Sequence, residues 1–349
     1  SAHRKIRYIA KKKNYIMVPG DIVAKKLGLN YSWNNRLLSG VISKGSTAKP
    51  APSTPSSTKP QTSNPSGSTT KITASESDYS IRIQKPDGLS SSSISSNDDY
   101  WNKQLQIIVD GDYRNFFNTA SNRTIKDSLT YKVSYSNGKT YINLITSAIK
   151  GFSVTQTDSY IYVKYAAPKD MFYRVIVIDA GHGGKDSGAT GNGYIEKNMT
   201  LNIVQNIKTN FDSDPLYKVY YTRLSDWYPT LTERYDLANT VNADRFLSVH
   251  INSADSASAK GTETLYKDYK TYASVIHSSS LNGMGYTKGS SYDRSLVYRP
   301  GLAVLRGTKM MSALAEMGFI SNSTESARID ARSEAIGSAL YQAICNSFN

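Results

Sequence analysis

The sequence predicts an α/β domain with a mostly parallel sheet flanked by helices, preceded by a β-rich, sandwich-like domain and a small N-terminal module. Three observations carry this expectation. From residue 172 onward, apolar strand-like runs alternate with helical segments of ~10–15 residues, the texture of a parallel sheet covered on both faces. Residues 76–168 instead hold short alternating runs without helical period. Between residues 45 and 70 the chain reads GSTAKPAPSTPSSTKPQTSNPSGSTT, with no Val, Ile, Leu, Met or aromatic residue. Such a stretch cannot bury enough apolar area to offset the entropy of ordering, and its five prolines keep it extended.

The disordered Ser/Thr/Pro linker is expected to run over 45–75, and ahead of it residues 1–44 form the small basic module. A strand over 15–18, a helix over 21–27 after a Pro-Gly start, and a second strand would make a ββ/α unit. The order Val-Pro, Leu-Gly and Tyr-Ser-Trp within residues 14–42 resembles the repeat at the N-terminus of copper amine oxidases and in many bacterial surface proteins. It implies an accessory module, and no His cluster accompanies it to suggest copper.

In the β-rich part, strands are expected over 79–83, 105–109, 129–134, 140–145 and 159–165, separated by Asp-Gly and Ser-Asn-Gly turns. Several short strands of this kind predict a small sandwich. In the α/β part, strands are expected over 175–179, 219–222, 245–250 and 261–266, near Val304 and over 313–316. Helices are expected over 198–211, 231–241, 272–281 and 334–348. Ligands of such sheets sit beyond the carboxyl ends of the strands.

At 349 residues there is room for two or three domains, and the mean hydropathy of −0.46 excludes a membrane-embedded chain. No run of 18 apolar residues offers a transmembrane helix. The single cysteine, Cys345, excludes an internal disulfide and reads as a buried, inert thiol. The net charge of +14 is uneven: residues 1–44 carry ten Lys and Arg against the single acid Asp21. Residues 76–349 are near neutral, where a nucleic-acid enzyme would carry its basic patch, so no nucleic-acid partner is expected. The basic arm suits an anionic cell-wall polymer or a membrane surface.

Two histidines fall at strand ends. His182 follows VIVIDA within Gly181-His182-Gly183-Gly184, and His250 closes RFLSVH. Two imidazoles and one carboxylate with a fourth position left open form a catalytic zinc set. Spacing cannot choose the carboxylate: Asp179, Asp186, Glu196 and Glu263 all compete, and no His-Glu-x-x-His element is present. Glu196 could equally favour a helix N-terminus. Glu316 ends an apolar strand, where a carboxylate is costly unless it bonds or works. His277 reads as a surface residue of its helix, and strand propensity accounts for most of the 26 tyrosines.

Resemblance adds the rest. VIVIDAGHGGKDSGATGNGYIEKNMTLNIV resembles the opening of the zinc-dependent N-acetylmuramoyl-L-alanine amidases. VYYTRLSDWYPTLTERYDLAN matches the family at Thr222, Arg223, Asp226, Leu231, Arg234, Ala238 and Asn239. ADRFLSVHINSA and ALAEMGFISNSTE complete four ordered blocks. The resemblance implies that zinc is held by His182, Glu196 and His250, and that Glu316 is the catalytic carboxylate. Arg245, Ile251 and the proline-free KMMSALAE depart from the family pattern without touching those positions.

The implied substrate is bacterial peptidoglycan, cut at the amide between the lactyl group and L-alanine. The implied location is outside the cytoplasm, secreted or wall-associated, with the signal sequence removed, and the expected state is a monomer. Lying directly before such a domain, residues 76–168 resemble the AMIN domain that targets these enzymes to the wall. Between His250 and Glu316 no blocking helix is expected, so the site should be open. Two rival readings remain: a zinc peptidase trimming the stem peptide, and a non-catalytic wall-binding scaffold.

Overall fold

The computed structural model describes residues 71–348, together with the backbone of two strands upstream, β1 (Asn30–Asn34) and β2 (Ser39–Ser43), which pair antiparallel. The strand and helix expected over 15–18 and 21–27, and residues 45–70 of the linker, lie outside the described residues. The linker's expected end over 71–75 is instead docked: Lys71 N donates to Met171 O at 2.7 Å, Ala74 N to Ser153 Oγ at 3.2 Å, and Ala74 is buried.

Eight strands build the β-rich part: β3 (Ile81–Gln84), β4 (Ile94–Asp99), β5 (Gln104–Asp110), β6 (Arg123–Ile125), β7 (Thr130–Ser136), β8 (Lys139–Ile145), β9 (Gly151–Gln156) and β10 (Tyr160–Ala166). They form two four-stranded antiparallel sheets, β6-β3-β10-β9 and β4-β5-β8-β7. Alternation does the sorting. Along β8, Thr140, Ile142 and Leu144 are buried, while their neighbours are exposed or partly so. Both sheets feed one core, with Ile81, Ile83, Ile161 and Val163 from the first and Leu105, Ile107, Ile142 and Leu144 from the second. The β7–β8 turn places Asn137 at φ 50° and Gly138 at φ 75°, the left-handed pair that a tight hairpin requires. A short helix, α1 (Arg114–Asn118), follows β5.

β4, β6 and β9 fall outside the expected strands. β4 reads ISSNDD and has little intrinsic strand preference, yet it pairs with β5 along its whole length. Its polar side chains find partners: Asn97 Nδ2 donates to Gln106 Oε1 at 2.9 Å, and Asp98 meets Lys218 at 2.6 Å.

A four-residue helix, α2 (Pro168–Met171), leads into the α/β part. Its main sheet is formed by β11 (Arg174–Ala180), β14 (Tyr217–Tyr221), β15 (Arg245–Asn252), β16 (Thr262–Tyr266), β17 (Asp293–Tyr298) and β18 (Met311–Phe319), in the order β14-β11-β15-β18-β16-β17. A two-residue pair, β12 (Thr190–Gly191) and β13 (Tyr194–Ile195), stands apart. The first four strands of that order are parallel, whereas β16 runs antiparallel to β18 and carries β17 with it. The sheet is therefore mixed, and mostly parallel.

Helices cover both faces, which is why the strands read as nearly continuous apolar runs. Ile176, Ile178, Leu247 and Val249 pack with α3 (Glu196–Phe211), α5 (Lys270–Met284) and α8 (Ser333–Asn346). The alternate residues Val175, Val177, Phe246 and Leu314 face α4 (Leu231–Thr240) and α6 (Ala303–Gly307). Val304 thus lies in a helix that packs against the strands rather than in a strand, and α7 (Ser323–Ala331) is a further helix the periodicity did not reveal. Tyr100, Met171 and Phe172 belong to the same core cluster as Val175 and Val177, so the β-rich and α/β parts share buried packing.

Candidate metal centre and active site

The site is built where β11, β15 and β18 end beside the N-terminus of α3. After β11 the chain turns through His182 at φ 61°, a conformation uncommon for a residue with a side chain. Two buried arginines hold this turn by its carbonyls. Arg223 donates from Nε to Ala180 O at 3.0 Å and from Nη2 to Gly181 O at 2.7 Å. Arg234 donates from Nη1 to Ala180 O at 2.7 Å and from Nη2 to His182 O at 2.8 Å. Burial and the neighbouring Arg234 bring the Arg223 guanidinium down to about 10.

Asp179 anchors the arginines. It is fully buried and accepts from Arg234 Nη1 at 2.7 Å, Thr222 Oγ1 at 2.6 Å and Ser248 Oγ at 2.6 Å. Burial pushes its pKa up, but Arg234 and the two hydroxyls outweigh that and hold it below the usual carboxylate range.

Above this floor, three side chains converge. His182 Nδ1 lies 2.9 Å from Asp186 Oδ2, which leaves Nε2 facing Glu196 Oε1 at 3.1 Å. His250 Nδ1 approaches the same oxygen at 3.0 Å. The two imidazoles stand edge to face, 4.8 Å between centroids. Glu196, the first residue of α3, is only 4% exposed. Ala189 N donates to its Oε2 at 2.9 Å and Ile251 N to its Oε1 at 3.0 Å. Burial would raise its pKa, but hydrogen bonds and charge from the two histidines keep it far below the usual range. One ligand atom from each of His182, Glu196 and His250 lies within 4.8 Å of the others, so these three groups could hold a metal ion. Glycines leave the room: a Cβ on Gly181 would fall 2.4 Å from the His250 ring, and one on Gly188 2.6 Å from Glu196 Oε2.

Glu316 stands opposite His250 in the β15–β18 register. Its Oε2 is buried without a hydrogen-bond partner. Burial, with smaller contributions from Glu196 and Glu263, raises its pKa to about 7 against the pull of His250 and His182. A partly buried carboxylate with one oxygen buried and unbonded, near neutrality beside a ligand cluster, is the arrangement expected of a proton carrier.

The sequence profile of the N-acetylmuramoyl-L-alanine amidases matches residues 176–346. The chain is also 36% identical over 170 residues to the uncharacterised Bacillus subtilis protein YqiI, covering 48% of this chain and 78% of that protein. It belongs to the N-acetylmuramoyl-L-alanine amidase family. Other relatives are matched over less of their length. The endolysin of Bacillus phage SPP1 is 40% identical over 162 residues, covering 44% of this chain and 58% of the endolysin. The Bacillus subtilis amidase LytC is 34% identical over 160 residues, covering 44% of this chain and 31% of LytC. Among solved structures, the catalytic domain of CwlV from Bacillus (Paenibacillus) polymyxa is 32% identical, with a TM-score of 0.47, covering 50% of this chain and 98% of that one.

Of the four carboxylates in competition, only Glu196 reaches both histidines. Asp179 lies beneath the turn, Asp186 orients the His182 ring, and Glu263 accepts from Asn252 Nδ2 at 2.9 Å and Arg294 Nε at 3.0 Å. His277 is not a surface residue: it is 4% exposed, with Nε2 at 2.8 Å from Asp293 Oδ1 and Nδ1 at 3.2 Å from Thr264 Oγ1. A polar side chain at a core position of α5 is tolerated because both ring nitrogens are engaged. Cys345 is only partly buried, and burial raises its thiol above the usual value.

The supporting roles of Arg223, Arg234 and Glu325 were missed. Arg234 did leave a signal, since it shares the buried face of α4 with Leu237 and Ala238, where a charge is out of place unless it is bonded. Glu325 left none. Its carboxylate is 1% exposed and accepts from Gly261 N, Phe319 N and Tyr286 Oη, contacts made only by the folded chain.

Proposed function

We propose that this chain hydrolyses the amide joining the lactyl group of N-acetylmuramic acid to L-alanine in peptidoglycan, outside the cytoplasm. Zinc is the proposed metal, with His182, Glu196 and His250 as its ligands and Glu316 as the proton carrier. The observation that carries this reading is the convergence of two imidazoles and Glu196 beside the unbonded Glu316 Oε2. The donors fit the metal: imidazole nitrogens with one carboxylate suit zinc, whereas calcium and magnesium favour oxygen sets. Zinc bound there would supply Lewis acidity to the scissile carbonyl and make water acidic enough to ionise near neutral pH.

The chain's own groups then have separate tasks. Asp186 fixes which nitrogen His182 turns inward, and Asp179 with the two arginines keeps the turn rigid. Glu316 takes the proton of the attacking water at Oε2 and delivers it to the departing alanine nitrogen, which cannot leave as an unprotonated amide anion. Access is supported by what lies between His250 and Glu316, namely β16, α5, β17 and α6. α6 leads into Met311, which pairs with Arg245 at the end of the strands opposite His250. The site is therefore proposed to be open without an activating partner. Residues 76–168 are assigned to wall contact as an AMIN-like domain, and the basic residues 1–44 to an anionic wall polymer or membrane surface. A monomer suffices for this chemistry.

The test is mass spectrometry of digested peptidoglycan, with and without a chelator. Intact stem peptides released only in the chelator-free digest support the amidase. A shortened stem indicates a peptidase, and no product together with no retained zinc indicates a scaffold.

A further inference from the structure

β14 is the outermost strand of the main sheet, paired only with β11 among the described residues. In parallel pairing, alternate residues turn both backbone groups outward, and an open edge leaves them unbonded. At Tyr221 a phenol from the β-rich part fills that edge. Tyr100 Oη donates to Tyr221 O at 2.7 Å and accepts from Tyr221 N at 3.0 Å. Burial keeps the phenol protonated at any working pH, so the donor is permanent. The Tyr100 ring stands edge-on to Tyr220 with centroids 4.9 Å apart. Three residues earlier on the same strand, Lys218 Nζ meets Asp98 Oδ2 at 2.6 Å, with side chains 5% and 1% exposed. The β-rich part is thus fixed to β14 at two points roughly 10 Å apart.

The next residue carries the contact onward. Trp101 packs edge to face on Trp227 with centroids 5.3 Å apart. Trp227 lies in the loop after β14, and that loop lies against the turn that bears His182. A Cβ on Gly183 would fall 2.2 Å from Trp227 O, and one on Gly184 would fall 2.9 Å from Tyr228 N. Gly184 N donates to Asp226 Oδ1 at 2.7 Å, and Lys197 Nζ bonds both Asp226 Oδ2 and Gly184 O. From Trp101 to the metal turn is a path of two contacts, through Trp227.

We propose that the Tyr100-Trp101 turn is a brace of the active site, and that Trp101 is a positioning residue acting through Trp227 on the His182 turn. Residues 76–168 then do more than contact the wall, because part of the catalytic scaffold lies in them. A ligand turn held in an uncommon conformation depends on its supporting contacts, and loosening these costs catalysis before it costs the fold.

The test compares the full chain with its Trp101→Ala, Trp101→Phe and Trp101→Leu variants. Hydrogen exchange at the amides of residues 183–184 and 225–228 is read without substrate, and kcat and KM are read on soluble peptidoglycan fragments. Trp101→Ala is expected to speed exchange at both segments and lower kcat roughly 10-fold or more, with KM and melting temperature near those of the parent. Trp101→Phe, which keeps a ring on Trp227, restores most of both. If Trp101→Ala does not fold, Trp101→Leu keeps the bulk without the ring edge, and the same readouts apply. Parent-like exchange and kcat in the variant that folds overturn the proposal. The kinetic arm rests on the amidase reading and the exchange arm does not, so an inactive parent would defeat that reading while exchange still decides the brace.

Discussion

Replacing Glu316 by glutamine keeps the side chain's shape and removes its charge. The parent carboxyl group titrates near 7 rather than 4.5 because burial penalises its ionised form. A group that binds its proton more tightly in the folded than in the unfolded state makes stability fall as pH rises from the unfolded value to the folded one. Here that window runs from 4.5 to about 7, and the displacement corresponds to a loss of ~3 kcal/mol in the metal-free protein above it. Glutamine has no charge to bury. Glu316→Gln should therefore melt several degrees above the parent at pH 8 in chelator, and level with it near pH 4. Bound zinc should shrink the gain, since a nearby cation stabilises the parent carboxylate. Activity should move the opposite way, falling ~10²–10⁴-fold through loss of the proton carrier. Zinc content should not change, because Glu316 is outside the proposed ligand set. Thermal melts at the two pH values, metal analysis and stem-release assays measure all three. A variant that melts with the parent at pH 8, or that releases stem peptide at the parent rate, refutes the reasoning.

Three further outcomes follow from the same geometry. Asp186→Asn should weaken zinc binding ~10–100-fold with the fold intact, read by competition with a chromophoric chelator, because the His182 ring loses its anionic partner. Asp179→Ala leaves Arg234 buried without its carboxylate and should cost ~3–5 kcal/mol in urea unfolding. In the parent, Asp179 contributes stability that is present above the ordinary carboxylate range and lost as pH falls through its lowered value, so acid unfolding should lose this component in the variant. Gly188→Ala brings a Cβ to 2.6 Å from Glu196 Oε2 at φ 63°, and calorimetry should find zinc binding lost or strongly weakened in a folded protein.

Much of this architecture was legible because its period is simple. The runs at 175–179 and 245–250 are apolar on both parities, as a sheet covered on both faces requires, and the structure has strands at Arg174–Ala180 and Arg245–Asn252. The helix expected over 198–211 begins two residues earlier, at Glu196, which gains nothing from helical periodicity because its side chain faces the ligand cluster rather than the core. What escaped was decided by distant partners. β4 is a strand because β5 offers it a full register, and β17 is one because it pairs with β16 across a register shift between Thr262 and Thr264. The buried Tyr100 gave no sign of its role, since a tyrosine after a polar run reads as surface until the open edge of β14 is brought against it.

The choice of the proposed metal carboxylate follows the same logic at smaller scale. Asp179, Asp186, Glu196 and Glu263 are chemically alike in sequence, and what distinguishes them is which donors the fold turns towards each. Asp179 receives an arginine and two hydroxyls, which satisfy both oxygens and leave nothing for a cation. Asp186 meets the outer nitrogen of His182, so it can steer that ring but not share its inner ligand direction. Glu263 is occupied by Asn252 and Arg294. Glu196 receives one backbone N–H on each oxygen, enough to fix its orientation, and both imidazoles then converge on its Oε1. Backbone donors hold a carboxylate in place without neutralising it, so its charge remains available to a metal. Only the chain path through the turn at Ala189 and the end of β15 could supply those two donors, and that path is not written in the spacing of the acids.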